Sequence, residues 1–103
     1  MPAMSLEEKE ELMDRMGKNL LVLRTMLRLS QADLAEMIGV SRPTIVSIET
    51  GKRRMSWKTF LSLLLIFTKN PNANQMLQVF QISTDQLEAF LMPPASPAKE
   101  DIS

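Results

Sequence analysis

At 103 residues the chain has room for one small domain and a short tail, and its hydrophobic content of 45% is ordinary for a globular protein. It has no cysteine and no histidine, which removes disulfides, thiolate metal sites, the commonest transition-metal ligand and the commonest general base. The formal net charge is zero, but residues 1–16 carry five acids against two bases, residues 17–69 nine bases against three acids, and residues 70–103 four acids against one base. A basic centre between acidic ends points to a polyanionic partner for the middle of the chain, or else to a solvated surface of mixed sign. The acidic start is the wrong charge for a signal peptide. The longest apolar run, Leu63-Leu64-Leu65-Ile66-Phe67, is too short to span a bilayer, so a soluble cytoplasmic protein is expected.

The pattern predicts an all-α fold, with no alternating strand segment and no Asn-Gly or Asp-Gly hairpin signal. Ser5-Leu6-Glu7-Glu8 has the form of a capping box, and Leu12, Met16, Leu20, Leu23 and Leu27 recur at helical spacing, so a first helix is expected from about residue 5 to about 29. Gly17 weakens that helix and is expected to mark where a solvated acidic arm gives way to the packed domain. Ser30 caps a second helix over 31–38, which Gly39 ends. Ser41 caps a third that runs to Thr50, with Pro43 in the first turn, where a missing N–H costs nothing, and Gly51 as its stop. Ser56 caps a fourth, with Phe60, Leu63, Leu64 and Phe67 on one face. Asn70-Pro71-Asn72 breaks the chain; a short fifth helix is expected over 73–80, and a sixth opens at Ser83 and ends at Pro93-Pro94.

The informative stretch is Gln31 to Thr50. Counted from Gln31, the fifth residue is Ala35, small enough for two steeply crossing helices to approach closely. The ninth is Gly39, where a tight turn needs a positive φ. Val40, Ile45 and Ile48 at the tenth, fifteenth and eighteenth positions fill the wedge with Leu34 and Ile38, while Arg42, Thr44 and Ser47 fall in the polar gaps. With LLVLRTMLRL before it and the segments LSQADLAEMIGVS and RPTIVSIETGK, the stretch Leu20 to Phe67 resembles the Cro and phage-repressor family of helix-turn-helix regulators, also called the XRE family.

The resemblance implies a compact, lambda-repressor-like DNA-binding domain of four or five helices. Here it would occupy residues 17–69, with an acidic helical extension at 1–16, a helical segment at 70–92 and a disordered tail at 93–103. The third helix would enter the major groove, setting Ser41, Arg42, Pro43, Thr44 and Ser47 against base edges. Arg42 is the best reader, since a guanidinium can bond guanine O6 and N7 together. Pro43 offers only apolar contact where the family often has a polar residue, and Val46 is likewise apolar. Gln31 would touch a phosphate, and Lys52, Arg53, Arg54 and Lys58 would flank the helix with phosphate contacts. Arg24 and Glu49 would pair, tying the first helix to the end of the third. Trp57 either stacks on the DNA backbone or covers the edge of the core.

The implied function is sequence-specific regulation of transcription, as a repressor binding double-stranded DNA as a homodimer. The apolar residues within 72–92 exceed what one domain needs and are expected to make the dimer or hold another protein. Two alternatives stay open: an antitoxin that autoregulates its promoter, and an interaction module that has lost DNA contact. No enzyme, metal site or cofactor is expected, for the chain has no phosphate-cradling glycine loop and no paired-carboxylate site.

Overall fold

A computed structural model describes residues 3–93, and the tail expected over 93–103 lies, from residue 94 on, outside the described residues. The described residues form six helices and no strand: α1 (Leu6–Met26), α2 (Gln31–Ile38), α3 (Arg42–Glu49), α4 (Trp57–Thr68), α5 (Pro71–Val79) and α6 (Asp85–Leu91). The fold is all-α, as the periodicity predicts.

Each helix begins where a short polar side chain can accept one of the first unpaired backbone N–H groups. Ser5 and Ser30 sit in reciprocal capping boxes with Glu8 and Asp33, and Ser41 and Ser56 cap α3 and α4. Two starts differ from the sequence expectation. Asn70 caps α5, so that helix opens at Pro71 rather than near 73; proline in the first turn gives up no bond there. Thr84, not Ser83, caps α6, while the Ser83 hydroxyl donates to Glu88 instead. One end differs as well. α1 stops at Met26, short of residue 29, because Arg28 adopts a left-handed φ of 57° and the Leu29 N–H turns back to the Arg24 carbonyl. An arginine there gives no sequence signal for a stop that glycine usually announces.

A single apolar core runs through the molecule. Met16, Leu20 and Leu23 from α1 meet Phe60, Leu63 and Phe67 from α4, and Leu34 and Ile45 from α2 and α3 close one side. Ala73, Leu77, Ile82 and Leu87 close the other. Fully burying a leucine or phenylalanine contributes about 1.5–3 kcal/mol, so these side chains dominate stability.

The expected solvated arm is packed instead. α1 continues through Gly17 without interruption, and Leu12, Met13 and Met16 are buried in the same core as Leu20. At Gly17 α1 passes the end of α3, where a Cβ would sit in ordinary van der Waals contact, 3.7 Å from Ile48 Cγ2 and 3.8 Å from Met55 Cε. Polar ties fix the start of α1 to the C-terminal helices. Lys9 Nζ lies 5.2 Å from the Trp57 ring centroid and 5.1 Å from that of Phe90, Arg15 donates to the Gln81 carbonyl at 2.9 Å, and the Gln86 amide donates to Glu8. Trp57 is half-buried and stacks on Phe60 at 4.8 Å between centroids, so it covers the core edge. No helix among the described residues is long and apolar enough to cross a membrane.

Candidate nucleic-acid interface

α2 and α3 form the helix pair that carries the expected site. Ser30 caps α2, Gly39 ends it at φ 76°, and the Val40 N–H returns to the Ala35 carbonyl at 3.0 Å. That left-handed turn suits glycine, and α3 starts three residues later, at Arg42. Ala35 is buried at the crossing, and Ile45 and Ile48 face inward from α3. The opposite side of α3 is left to solvent: Ser41, Arg42, Pro43 and Thr50 are exposed, and Val46 and Ser47 are half-buried.

The expected base-reading residues divide on inspection. Arg42 and Pro43 project from the first turn. Ser41 is committed to the cap: its Oγ accepts from the Thr44 N–H at 3.3 Å and lies 2.9 Å from Thr44 Oγ1. Thr44 is half-buried on the flank that faces the loop after α3, and Arg53 Nη1 reaches it at 3.5 Å. The Ser47 carbonyl accepts the N–H groups of Lys52 and Arg53 at 2.9 and 3.1 Å, folding the basic loop back against the end of the helix. Thr50, exposed and in register with Pro43 and Val46, belongs to the same outward stripe; spacing at i, i+3, i+7 could have identified it.

The expected phosphate contacts divide too. Lys52 and Lys58 are exposed. Arg54 is exposed but turned toward the extension, its Nη1 3.4 Å from Glu10 Oε2. Gln31 is half-buried, and its side-chain amide donates to Glu49 Oε1 at 3.0 Å. Its Oε1 in turn accepts from Arg42 Nη2 at 3.4 Å. At the other end of this chain the Arg24 guanidinium grips Glu49 through two bonds, Nε to Oε2 at 2.7 Å and Nη2 to Oε1 at 3.1 Å, and a third nitrogen caps the Leu29 carbonyl at 2.9 Å. Both side chains are nearly enclosed, 11% and 6% exposed, so a bidentate pair with every partner in place is what keeps two charges tolerable there. The pairing of Arg24 with Glu49 is present, and it extends through Gln31 to the first residue of α3. The side-chain amide of Gln31 is thereby occupied within the protein.

Asp33 titrates below its ordinary value because the Ser30 N–H and hydroxyl both bond the charged form. Its negative charge at the first turn of α2 favours the helix through the dipole.

A family model described as a helix-turn-helix matches residues 21–67, from the last six residues of α1 to the last turn of α4. Neither the curated proteins nor the solved structures hold a match to the chain. The match covers both helices of the pair, the glycine turn, the Arg24–Glu49 tie and the basic loop. Residues 21–67 are a DNA-binding helix-turn-helix of the Cro and phage-repressor family.

Proposed function

We propose that the chain is a transcriptional repressor, acting in the cytoplasm as a dimer and reading an operator with α3 in the major groove. The observation that carries this reading is the placement of Arg42. It stands exposed at the first turn of α3, with one nitrogen held by Gln31, which is itself anchored through Glu49 to Arg24. A guanidinium held in place loses less side-chain freedom when it bonds a guanine edge, and each good bidentate contact discriminates by about 1–3 kcal/mol. Lys52 and Arg53, folded against the end of α3, would meet phosphates on the groove's rim and set the register.

Much of the apolar character of residues 72–92 is accounted for within one copy, since Ala73, Leu77, Ile82 and Leu87 belong to its own core. What is left outside is Val79, Leu91 and Met92, and we assign the dimer contact to them. Light scattering on a variant with Val79→Lys and Leu91→Lys checks that assignment; an unchanged dimer would remove it.

The function itself is tested by selecting bound sites from a pool of random duplexes. Wild type should enrich paired half-sites, and its affinity should fall steeply with salt, by a slope of about 0.9 per phosphate neutralised. Arg42→Ala should relax one position per half-site, and Lys52→Ala should weaken all sites alike. Binding that ignores salt concentration, or no binding at all, would defeat the reading.

A further inference from the structure

We propose that the acidic N-terminal turns of α1 are a built-in brake on DNA binding, in which Glu10 holds Arg54 and must release it before that arginine can meet a phosphate. The inference rests on the DNA-binding reading above, and it concerns a segment outside the helix-turn-helix match at 21–67.

The extension is rigidly placed. Leu12, Met13 and Met16 are buried, and at Gly17 the helix lies against Ile48 and Met55. The turns before Gly17 are therefore carried along the loop that follows α3. Glu10 Oε2 lies 3.4 Å from Arg54 Nη1 across that boundary. One turn further, Asp14 lines the same groove as Arg53 and Arg54, together with Lys18, which pairs with Asp14 at 3.0 Å.

Ordinary helix chemistry does not account for Glu10. The dipole favours acids in the first turn, where Glu7 and Glu8 already stand, and its effect fades beyond that turn. Glu11 and Asp14 each have a partner four residues on in α1, Arg15 and Lys18. The cation that Glu10 meets is on the loop beside the recognition helix. A phosphate arriving at Arg54 would come within about 8 Å of Glu10, the distance over which physiological salt still leaves charges interacting. Phosphate and carboxylate thus compete for one guanidinium. Both partners are substantially exposed, so the hold is weak, worth about two- to fivefold in an equilibrium. That strength suits a brake that salt or a protein partner can release.

The sign of the effect separates this from a structural ion pair, since removing Glu10 should strengthen binding. The experiment is a fluorescence-anisotropy titration of a labelled mixed-sequence DNA duplex with wild type, Glu10→Gln, Arg54→Ala and the double variant, over a range of KCl. Circular dichroism verifies the helical content of each, and Glu10→Ala replaces Glu10→Gln if that variant loses it. Glu10→Gln should bind about two- to fivefold tighter at low salt. Its salt slope should be steeper by about 0.9, the mark of one more phosphate neutralised. In the Arg54→Ala background the gain should shrink toward nothing. Equal or weaker binding by Glu10→Gln, with wild type still binding in a salt-dependent way, overturns the brake alone. A gain that persists without Arg54 overturns the hold on that residue and leaves only diffuse repulsion. Wild type that shows no salt-dependent binding overturns the DNA reading itself.

Discussion

α2 and α3 are eight residues each and bury only Leu34, Ala35, Ile45 and Ile48, whereas the longer α1 and α4 together bury nine leucine, methionine and phenylalanine side chains. Helices that short are marginal in isolation. The pair proposed to meet DNA is held up by its neighbours: apolar packing against α1 and α4, and one nearly enclosed ion pair from Arg24 to Glu49. The division has a physical sense. A surface that must stay polar and open to a ligand cannot also be the main source of buried area, so its stability is supplied by the frame. The frame reaches beyond residues 21–67, since Leu12, Met13 and Met16 before them and Ala73, Leu77, Ile82 and Leu87 after them share the same core.

The sharpest way to break the link between pair and frame is Arg24→Ala. It leaves Glu49, 6% exposed, without its charge partner, and loosens Gln31 from its anchor. Losing one member of such a buried pair costs about 3–5 kcal/mol, a large part of what a domain this size has. Urea denaturation should show it as a fall in midpoint at unchanged slope. Arg24→Met combined with Glu49→Leu should cost much less, because no bare charge remains. If the single and double variants lost the same stability, desolvated charge would not be the cause.

Leu77→Ala tests the frame from its far end. Leu77 is fully buried on α5, outside the family match, and truncation there should cost about 2–5 kcal/mol. An effect below about 0.5 kcal/mol, the size expected of a surface site, would show that the C-terminal helices do not stabilise the core.

How legible this was depended on whether the signal was local. Caps and turns were legible: Ser30, Ser41, Ser56 and Gly39 are where the pattern put them, since each acts on backbone groups within a few residues. The crossing of α2 and α3 was legible as well, because Ala35, Ile45 and Ile48 repeat at fixed spacing. The end of α1 was not, since Arg28 takes the left-handed turn that glycine would have announced. Nor were the ties of the N-terminal extension to the C-terminal helices, in which Lys9 meets Trp57 and Phe90 from distant parts of the chain. At the candidate site, the exposure of Arg42 and Pro43 followed from helical spacing, but the bond from Gln31 to Glu49 spans eighteen residues, and Arg54 faces an acid forty-four residues upstream. Charge counts by segment suggested an acidic arm apart from a basic domain; three-dimensional packing put the two in contact.

A smaller change acts on the angle of the pair without touching the frame. At Gly39 a Cβ would meet nothing within 4 Å, so Gly39→Ala adds no clash. The cost comes only from holding alanine at φ 76°, about 1–2 kcal/mol. Gly39→Asn should cost less, because asparagine tolerates the left-handed region better. Thermal melts of the two variants give the comparison, and equal losses would point to crowding of the turn in place of backbone strain.

The smallest effect expected is in the cap that starts α2, and it depends on pH. The Ser30 N–H and hydroxyl bond the Asp33 carboxylate and hold its pKa below the ordinary value. A depressed folded-state pKa means that the charged form is favoured by folding. The contribution is therefore present in full above the unfolded value, about 3.9, and is lost as pH falls through the lower folded value. Asp33 is fully exposed, so solvent screens most of the benefit and the stability difference between wild type and Asp33→Asn at neutral pH should be slight. That difference should stay constant down to the carboxylate range and then close. A gap between wild type and Asp33→Asn that persisted well below the carboxylate range would mean that the cap acts through side-chain geometry, with the charge on Asp33 contributing nothing.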